Sequence, residues 1–386
     1  MLITARQEQN ARLLAYLIVI LYACNQIYFL FPFSPIIWRI AIMVLNMIAV
    51  VLGFKTGFIK TEKYILLFML LVTGYFIWGF GEYEYGFTNI GNMYVGLFSF
   101  PAMSSLARRG ALRESDFRNM VVLLTATSII YYLNSQANTL ARLGLDSTTI
   151  NASVVFAMLL PSALLFRSQK LTFIFVGICI FFLLNGAKRG NILASVIPLI
   201  LLMIHLFRKN RKSFWKRLAF LIVIVSASIW IYDLVLSNDY LLDRYRQTLS
   251  GNSSNRNVIY STMWDLWSEK ADFWQFLFGY GYDGSILYGG LGRYAHNDWL
   301  EILVDYGLLG AVIYGSIFIG LISIYQQIKK KVFKQVILAI MAVWFVKTCV
   351  SMGFTGETMF LLALPFAYVV GYNYIESNQI KSKKTK

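Results

Sequence analysis

The sequence predicts an all-α polytopic membrane protein with about twelve transmembrane helices and one long loop on the outer side. Of its 386 residues, 58% are hydrophobic and 14% are charged, and the mean hydropathy is +0.60. Soluble domains are far more polar than this. Apolar runs long enough to cross a hydrocarbon core of roughly 30 Å recur along nearly the whole chain.

In chain order, we predict a single membrane domain, 1–386, whose spans lie near residues 11–31, 35–54, 64–81, 89–107, 117–134, 150–166, 171–187, 190–207, 217–236, 299–324, 332–350 and 358–375. The first run is too long for a signal peptide and has no small-residue cleavage site, so we expect it to remain as a membrane anchor. Cys24, Cys179 and Cys349 all fall inside predicted spans, which favours packing roles over disulfides or metal ligation.

The net charge of +16 reflects topology more than a nucleic-acid partner. If both termini are cytoplasmic, most of the basic residues fall at the inner ends of the predicted spans, as the positive-inside rule requires. The exceptions lie on the outer side or within spans near it, where ionisable groups line cavities or pair with anions. They are Arg39, Arg142, Lys188, Arg189, Arg244, Arg246, Arg256, Lys270, Arg293 and Lys347.

Lys188 and Arg189 are the sharpest of these exceptions. They stand in the sequence NGAKRGN at 185–191, a tight turn between two predicted spans. Two cations held in so short a turn favour an anion such as a phosphate as their partner. The alternative is that both side chains extend to lipid headgroups.

The long outer loop, 237–298, contains a predicted amphipathic helix. Ile259, Met263, Leu266 and Trp267 recur at helical spacing. Ser254 or Asn255 can cap this helix, which places Arg256 in its first turn, where free backbone N–H groups favour anions. The loop is also rich in aromatic residues, Tyr282 among them, which could stack on sugar rings or form an interfacial aromatic belt.

His296 is the candidate general base, because it stands immediately before an apolar helix. Asp298 and Glu301 have the spacing of a capping box, which predicts a helix that begins near Trp299. The positive end of that helix disfavours imidazolium, so we expect a neutral ring that can accept a proton. Glu301 and Asp305 either pair with outer arginines or orient His296.

The sequence predicts neither a metal nor another cofactor. It contains no cluster of metal ligands at a recognisable spacing, no nucleophile elbow and no Walker loop.

The motifs at the outer end resemble those of the O-antigen ligase/polymerase superfamily. They are AKRG at 187–190, NR at 255–256, FGYG at 278–281, AHNDWLE at 295–301 and YGLLG at 306–310. The resemblance covers roughly residues 185–310 and implies a GT-C-like, metal-independent inverting glycosyltransferase of the hexosyltransferase type. It implies a bacterial inner-membrane enzyme with a periplasmic active site and an undecaprenyl-diphosphate-linked oligosaccharide as donor.

The resemblance also implies roles for individual residues. His296 would be the general base, and Arg189 and Arg256 would hold the diphosphate, with Lys188, Arg293, Arg246, Asn297 and Tyr282 as further substrate-binding residues. The modest length of the chain, its single long outer loop and the AHNDWLE form of the motif at 295–301 look more like a polymerase of lipid-linked repeat units in O-antigen and lipopolysaccharide biosynthesis. The alternatives are an O-antigen ligase that transfers the glycan to lipid A core and, less favoured, a lipid-linked sugar transporter. A chain-length regulator and a flippase of the same pathway are the suggested protein partners.

Overall fold

A computed structural model describes residues 5–79, 86–143, 150–186, 188–209 and 256–384. Every regular element in these ranges is helical. The helices are α1 (Ala5–Gln26), α2 (Pro35–Gly53), α3 (Lys60–Trp78), α4 (Gly86–Gly96), α5 (Ser99–Ala107), α6 (Glu114–Leu143), α7 (Val154–Ala163), α8 (Gln169–Asn185), α9 (Arg189–Lys209), α10 (Arg256–Asp265), α11 (Phe273–Phe278), α12 (Gly284–Tyr288), α13 (Asp298–Gln327), α14 (Lys331–Val350) and α15 (Phe360–Lys384). A π-helical turn, Leu266–Lys270, continues α10.

The chain is a multi-pass membrane protein. In the part of the chain that the structure describes, seven helices are long and apolar enough to cross a bilayer, namely α2, α3, α6, α9, α13, α14 and α15 with the turn that precedes it. The shorter apolar helices Asn151–Ala163 and Gln169–Asn185 coincide with two further predicted spans. The predicted span 217–236 lies outside the described residues, and the total of twelve stays a prediction.

The predicted span 89–107 is not one continuous helix. It is divided between α4 and α5, which are separated by Leu97 and Phe98. The Asn46 side chain donates to the Tyr94 carbonyl (3.2 Å) and to the Ser99 hydroxyl (2.9 Å), so a buried amide satisfies polar groups at the break. Hydropathy alone does not reveal the interruption, because both halves are apolar.

Helix α13 packs against α3 and α14, while α14 also packs on α9 and α15 packs on α5. At Gly320, a Cβ atom would lie only 2.7 Å from the Thr61 Cα, so a glycine lets α13 approach α3 closely. The two ends of the helical bundle carry different polar groups. The end where α3 begins holds a buried ion pair between Glu62 and Arg108, and the end where α13 begins holds His296. We call the latter the His296 end.

Helix α13 contains a sharp kink at Gly307, which has a φ of 63°. The 279–281 segment docks on this kink: the Tyr280 amide donates to the Val304 carbonyl (2.8 Å) and the Gly281 amide donates to the Asp305 carbonyl (3.0 Å). A Cβ at Gly279 would lie 2.4 Å from the Asp305 backbone. Gly279 of FGYG and Gly307 of YGLLG are therefore required by the close packing of the two segments.

Candidate functional site at the His296 end

His296 occupies a left-handed backbone conformation, with a φ of 53°, in the turn before α13. The residues on both sides of it are held in place. The Ala295 amide donates to the Glu301 carboxylate at 2.6 Å, and the Asn297 side chain donates to the Cys349 carbonyl at 3.2 Å. Non-glycine residues adopt this conformation at a cost, and neighbouring contacts must hold them there.

The predicted capping residue of α13 is wrong by one position. Asn297 is the N-cap, because its side-chain oxygen accepts from the amides of Trp299 (2.9 Å) and Leu300 (3.3 Å). Asp298 is instead fully buried. It accepts from the amides of Gly353 (2.7 Å) and Phe354 (3.1 Å) and from the Tyr314 hydroxyl (2.8 Å). Asp298 therefore fixes the loop after α14 against the start of α13.

Glu301 and Asp305 hold the loop that leads to His296. Glu301 accepts from the Ser285 hydroxyl as well as from the Ala295 amide, and Asp305 accepts from the Ser285 amide at 2.9 Å. Neither carboxylate forms an ion pair with any residue that the structure describes. Of the two interpretations left open by the sequence, these contacts favour orientation of the His296 segment over pairing with arginines.

The end of α14 brings the cationic segments together. The Arg256 guanidinium donates to the Val350 carbonyl at 3.0 Å, one position after the Cys349 carbonyl that receives Asn297. At Gly190, in the first turn of α9, a Cβ would lie 3.0 Å from the Val350 side chain. The last carbonyls of a helix lack intrahelical partners and carry partial negative charge, so they suit cationic donors.

Four cations lie near enough to His296 to affect its pKa. Partial burial lowers the pKa of His296 below its ordinary value of 6.5, and nearby positive charges lower it further. In decreasing order of effect, these charges are Arg256, Lys188, Arg293 and Lys347. The imidazole is therefore neutral at neutral pH. Burial and cations account for a neutral ring that the sequence alone attributed to the helix dipole.

Lys188 and Arg189 lie at the start of α9. The Lys188 ammonium donates to Asn151 Oδ1 at 2.8 Å, and burial together with Arg256 lowers the pKa of Lys188. Arg189 is the first residue of α9 and has an exposed side chain. Arg293 is also exposed, three residues before His296. These positions are compatible with the predicted anion-binding roles.

The structure does not place two other predicted site residues, Tyr282 and Arg246, among the exposed groups near His296. Tyr282 is 4% exposed, its ring packs edge-on against Phe76 with centroids 5.3 Å apart, and its hydroxyl donates to the Gly86 carbonyl at 3.3 Å. A sugar could reach this ring only after local rearrangement. Arg246 lies outside the described residues, so its predicted role stays a prediction.

A comparison with protein families identifies the segment that carries these residues. Residues 173–315 match the family model described as O-antigen ligase. Over these residues the chain is similar to the O-antigen ligase family. No curated protein matches the chain. The matching segment runs from α8 into α13, so it contains His296 and every predicted cationic residue of the site, whereas α14 lies outside it.

Sequence reasoning missed several residues next to the superfamily motifs. Asp283 has a left-handed φ of 57°, and burial raises its pKa to about 6, an effect that a hydrogen bond with Tyr294 reduces. The Tyr294 hydroxyl in turn receives the Asn89 side chain. This chain of contacts ties the loop before His296 to α4. The aspartate within the glycine-rich turn at 279–284 was the one available signal.

Proposed function

We propose that this protein is a polysaccharide polymerase that joins undecaprenyl-diphosphate-linked oligosaccharide repeat units by inverting glycosyl transfer. The observation that carries the proposal is an exposed histidine held in a left-handed turn, with Arg256, Lys188, Arg293 and Lys347 near enough to lower its pKa. The proposed enzyme lies in the bacterial inner membrane, with both termini in the cytoplasm and the His296 end at the periplasmic face. It belongs to the GT-C-like class and uses no metal.

The proposed donor is an anion anchored in the membrane, which suits the cations at this end of the bundle. Arg256 and Arg189 each stand in the first turn of a helix, where free N–H groups and the positive end of the dipole add to the guanidinium charge. A planar guanidinium grips phosphate oxygens with two parallel hydrogen bonds. Lys188 and Arg293 would contribute further charge, and Asn297 would hold the turn.

In the proposed reaction, a sugar hydroxyl of the acceptor repeat unit attacks the anomeric carbon of the donor chain. A new glycosidic C–O bond forms as the bond between that carbon and the diphosphate oxygen breaks. His296 takes the hydroxyl proton, and undecaprenyl diphosphate leaves with the bonding electron pair. The arginines stabilise the negative charge that develops on the leaving group. Energy comes from the activated sugar–diphosphate bond.

The ligase reaction is a second candidate, favoured by the description of the matching family model as O-antigen ligase. A ligase would use the same donor and the same base but would transfer the finished glycan to lipid A core. Both reactions need an identical grip on the diphosphate, so the contacts around His296 support them equally. The AHNDWLE form of the motif at 295–301 motivates our preference for polymerisation.

Surface polysaccharide from a strain lacking only this gene distinguishes the candidates. Lipid A core that carries a single repeat unit would support the polymerase, because transfer to core survives. Bare core with long glycan still on its lipid carrier would establish the ligase instead. Repeat units retained on the cytoplasmic side would point to transport and would contradict both enzymatic proposals. A chain-length regulator and a flippase are proposed partners, and loss of either gives a distinct gel pattern.

A further inference from the structure

Lys347 is a buried cation near the end of α14 that no acidic residue neutralises directly. Its side chain is 8% exposed, and its ammonium donates to the Ser351 hydroxyl at 3.1 Å. No carboxylate of the described residues lies within ion-pair distance of it. A buried charge without an opposite charge is costly, and such groups within membrane spans usually serve a function.

Asp298 is the acid near Lys347, but its hydrogen-bonding capacity is already used. A Cβ at Gly353 would lie 2.8 Å from an Asp298 oxygen and 3.5 Å from Lys347 Cγ, so Gly353 is in contact with both side chains. The Asp298 oxygens, however, accept from two backbone amides and the Tyr314 hydroxyl. The Lys347 ammonium donates instead to the hydroxyl of Ser351, the C-cap residue of α14.

The position of Lys347 connects it to the site. It lies one helical turn before Val350, whose carbonyl receives Arg256, and its charge contributes to the lowered pKa of His296. Ser351, whose hydroxyl accepts from the ammonium, is partly exposed. Both residues lie outside the segment that matches the superfamily, which ends at residue 315.

We propose that Lys347, together with the Ser351 hydroxyl, is an additional anion-binding element of this site and contacts the lipid diphosphate. This inference rests on the proposed function. The ammonium would move from Ser351 alone to a position shared between Ser351 and a phosphate oxygen. The pair would thus complete, from α14, a ring of donors that the matching segment supplies from α9, α10 and the His296 turn.

The test compares the affinity of purified full-length variants for undecaprenyl diphosphate in nanodiscs. Lys347→Met removes the charge while preserving the length of the side chain, and it should weaken binding by about tenfold or more, the value of a charge-assisted hydrogen bond. Lys331→Met is the matched control, because Lys331 lies on the same helix at the opposite end and is exposed. It should bind as the wild type does.

Two further measurements separate binding from folding. The titration midpoint of His296, followed by NMR, should rise in Lys347→Met, since a positive neighbour has been removed. A purely structural lysine would lower thermal stability without weakening binding, and that result would overturn the proposal. If Lys347→Met does not fold, Ser351→Ala decides: binding weakened by about threefold supports the proposal, and unchanged affinity overturns it.

The outcomes also distinguish this inference from the proposed function. If the wild type and Lys331→Met bind undecaprenyl diphosphate and Lys347→Met binds it equally well, only the role of Lys347 fails. If the wild type itself does not bind the lipid diphosphate, the proposed function fails first and the inference fails with it.

Discussion

The electrostatic surroundings of His296 decide what its imidazole can do. Burial and four cations all disfavour imidazolium, and the strained turn leaves the ring partly exposed. A general base must be unprotonated at the working pH and must be reachable by the group that it deprotonates. Both conditions follow here from the residues that surround the ring.

We predict that His296 titrates below the ordinary value of 6.5 for a histidine. The chain has two histidines, so NMR of histidine-labelled protein gives two titrations, and His205→Ala assigns them. Arg256→Leu should raise the His296 midpoint, because removal of a nearby positive charge makes protonation easier. As the pH is lowered, the rate of glycosyl transfer by the wild type should accordingly decline with a midpoint below pH 6.5, where His296 becomes protonated.

Lys329→Leu is a suitable control, since Lys329 is an exposed cation at the opposite end of α13. It should leave the His296 midpoint unchanged. A wild-type midpoint above 6.5, or no response to Arg256→Leu, would contradict this description of the site.

Glu301 is predicted to be a positioning residue. Glu301→Ala removes the acceptor of the Ala295 amide, so the His296 turn loses one of its two anchors. We expect turnover to fall by at least about tenfold with little change in KM, because small displacements of a catalytic group reduce rates by up to about 10². Glu301→Gln keeps an acceptor oxygen and should remain within about threefold of the wild type. Wild-type turnover in Glu301→Ala would exclude the role.

At this scale, the sequence predicted the composition of the site better than its geometry. His296, Arg256, Lys188 and Arg293 were all singled out before the fold was known, and the structure brings them together. The roles of Asn297 and Asp298 at the helix start could not be separated, because both residues can cap a helix. Their difference depends on Gly353 and Phe354, which are distant in sequence.

At the level of elements, the site depends on the docking of the 279–281 segment against the kink in α13. A Cβ at Gly307 would lie 2.4 Å from the Leu277 backbone, just as one at Gly279 would meet Asp305. Both glycines also have positive φ angles. The docked segment leads into the loop that carries His296, so its contacts with α13 help to anchor that loop.

Gly279→Ala and Gly307→Ala should therefore each destabilise the protein and reduce transfer. The backbone must separate at the contact, and a left-handed conformation of a non-glycine residue alone costs about 1–3 kcal/mol. Thermal unfolding in detergent measures the effect. Gly177→Ala in α8 is the matched control, since no atom lies within 4 Å of its added Cβ, and it should be neutral or stabilising. Unaltered stability in both site variants would contradict the docking.

Helices were the most predictable elements, because apolar runs of sufficient length have few other solutions in a bilayer. Their interruptions were not predictable. The break between α4 and α5 depends on Asn46, and the kink of α13 depends on the approach of residues 277–281. Such features arise from contacts between distant segments, which hydropathy along one segment does not contain.

Considered as a whole, the described part of the molecule carries different charged groups at its two ends. At the end opposite His296, Glu62 and Arg108 form a buried ion pair at 2.5 Å, and Arg108 is 1% exposed. The sequence assigned Arg108 only to the positive-inside pattern. Its burial gives it a structural role as well. At the His296 end, by contrast, Lys188, Arg256 and Lys347 form no ion pair with a carboxylate of the described residues.

Glu62→Leu should lower the free energy of unfolding by about 3–5 kcal/mol, because it leaves the Arg108 guanidinium buried without its partner. The double variant Glu62→Leu/Arg108→Leu should recover much of this loss. Glu8→Leu is the control, since its pair with Arg113 is exposed and contributes less than about 1 kcal/mol. Equal thermal midpoints for Glu62→Leu and Glu8→Leu would show that the buried pair is dispensable.

The measurement that most directly tests the catalytic proposal is transfer by the purified protein in proteoliposomes, with lipid-linked repeat units extracted from the deletion strain. We expect the wild type and His205→Ala to extend these units into longer lipid-linked chains, while His296→Ala makes none and retains its thermal stability. Polymer formed by His296→Ala at the wild-type rate would contradict the role of His296 as the base, and a wild-type protein that forms no glycosidic bond would contradict the proposed function.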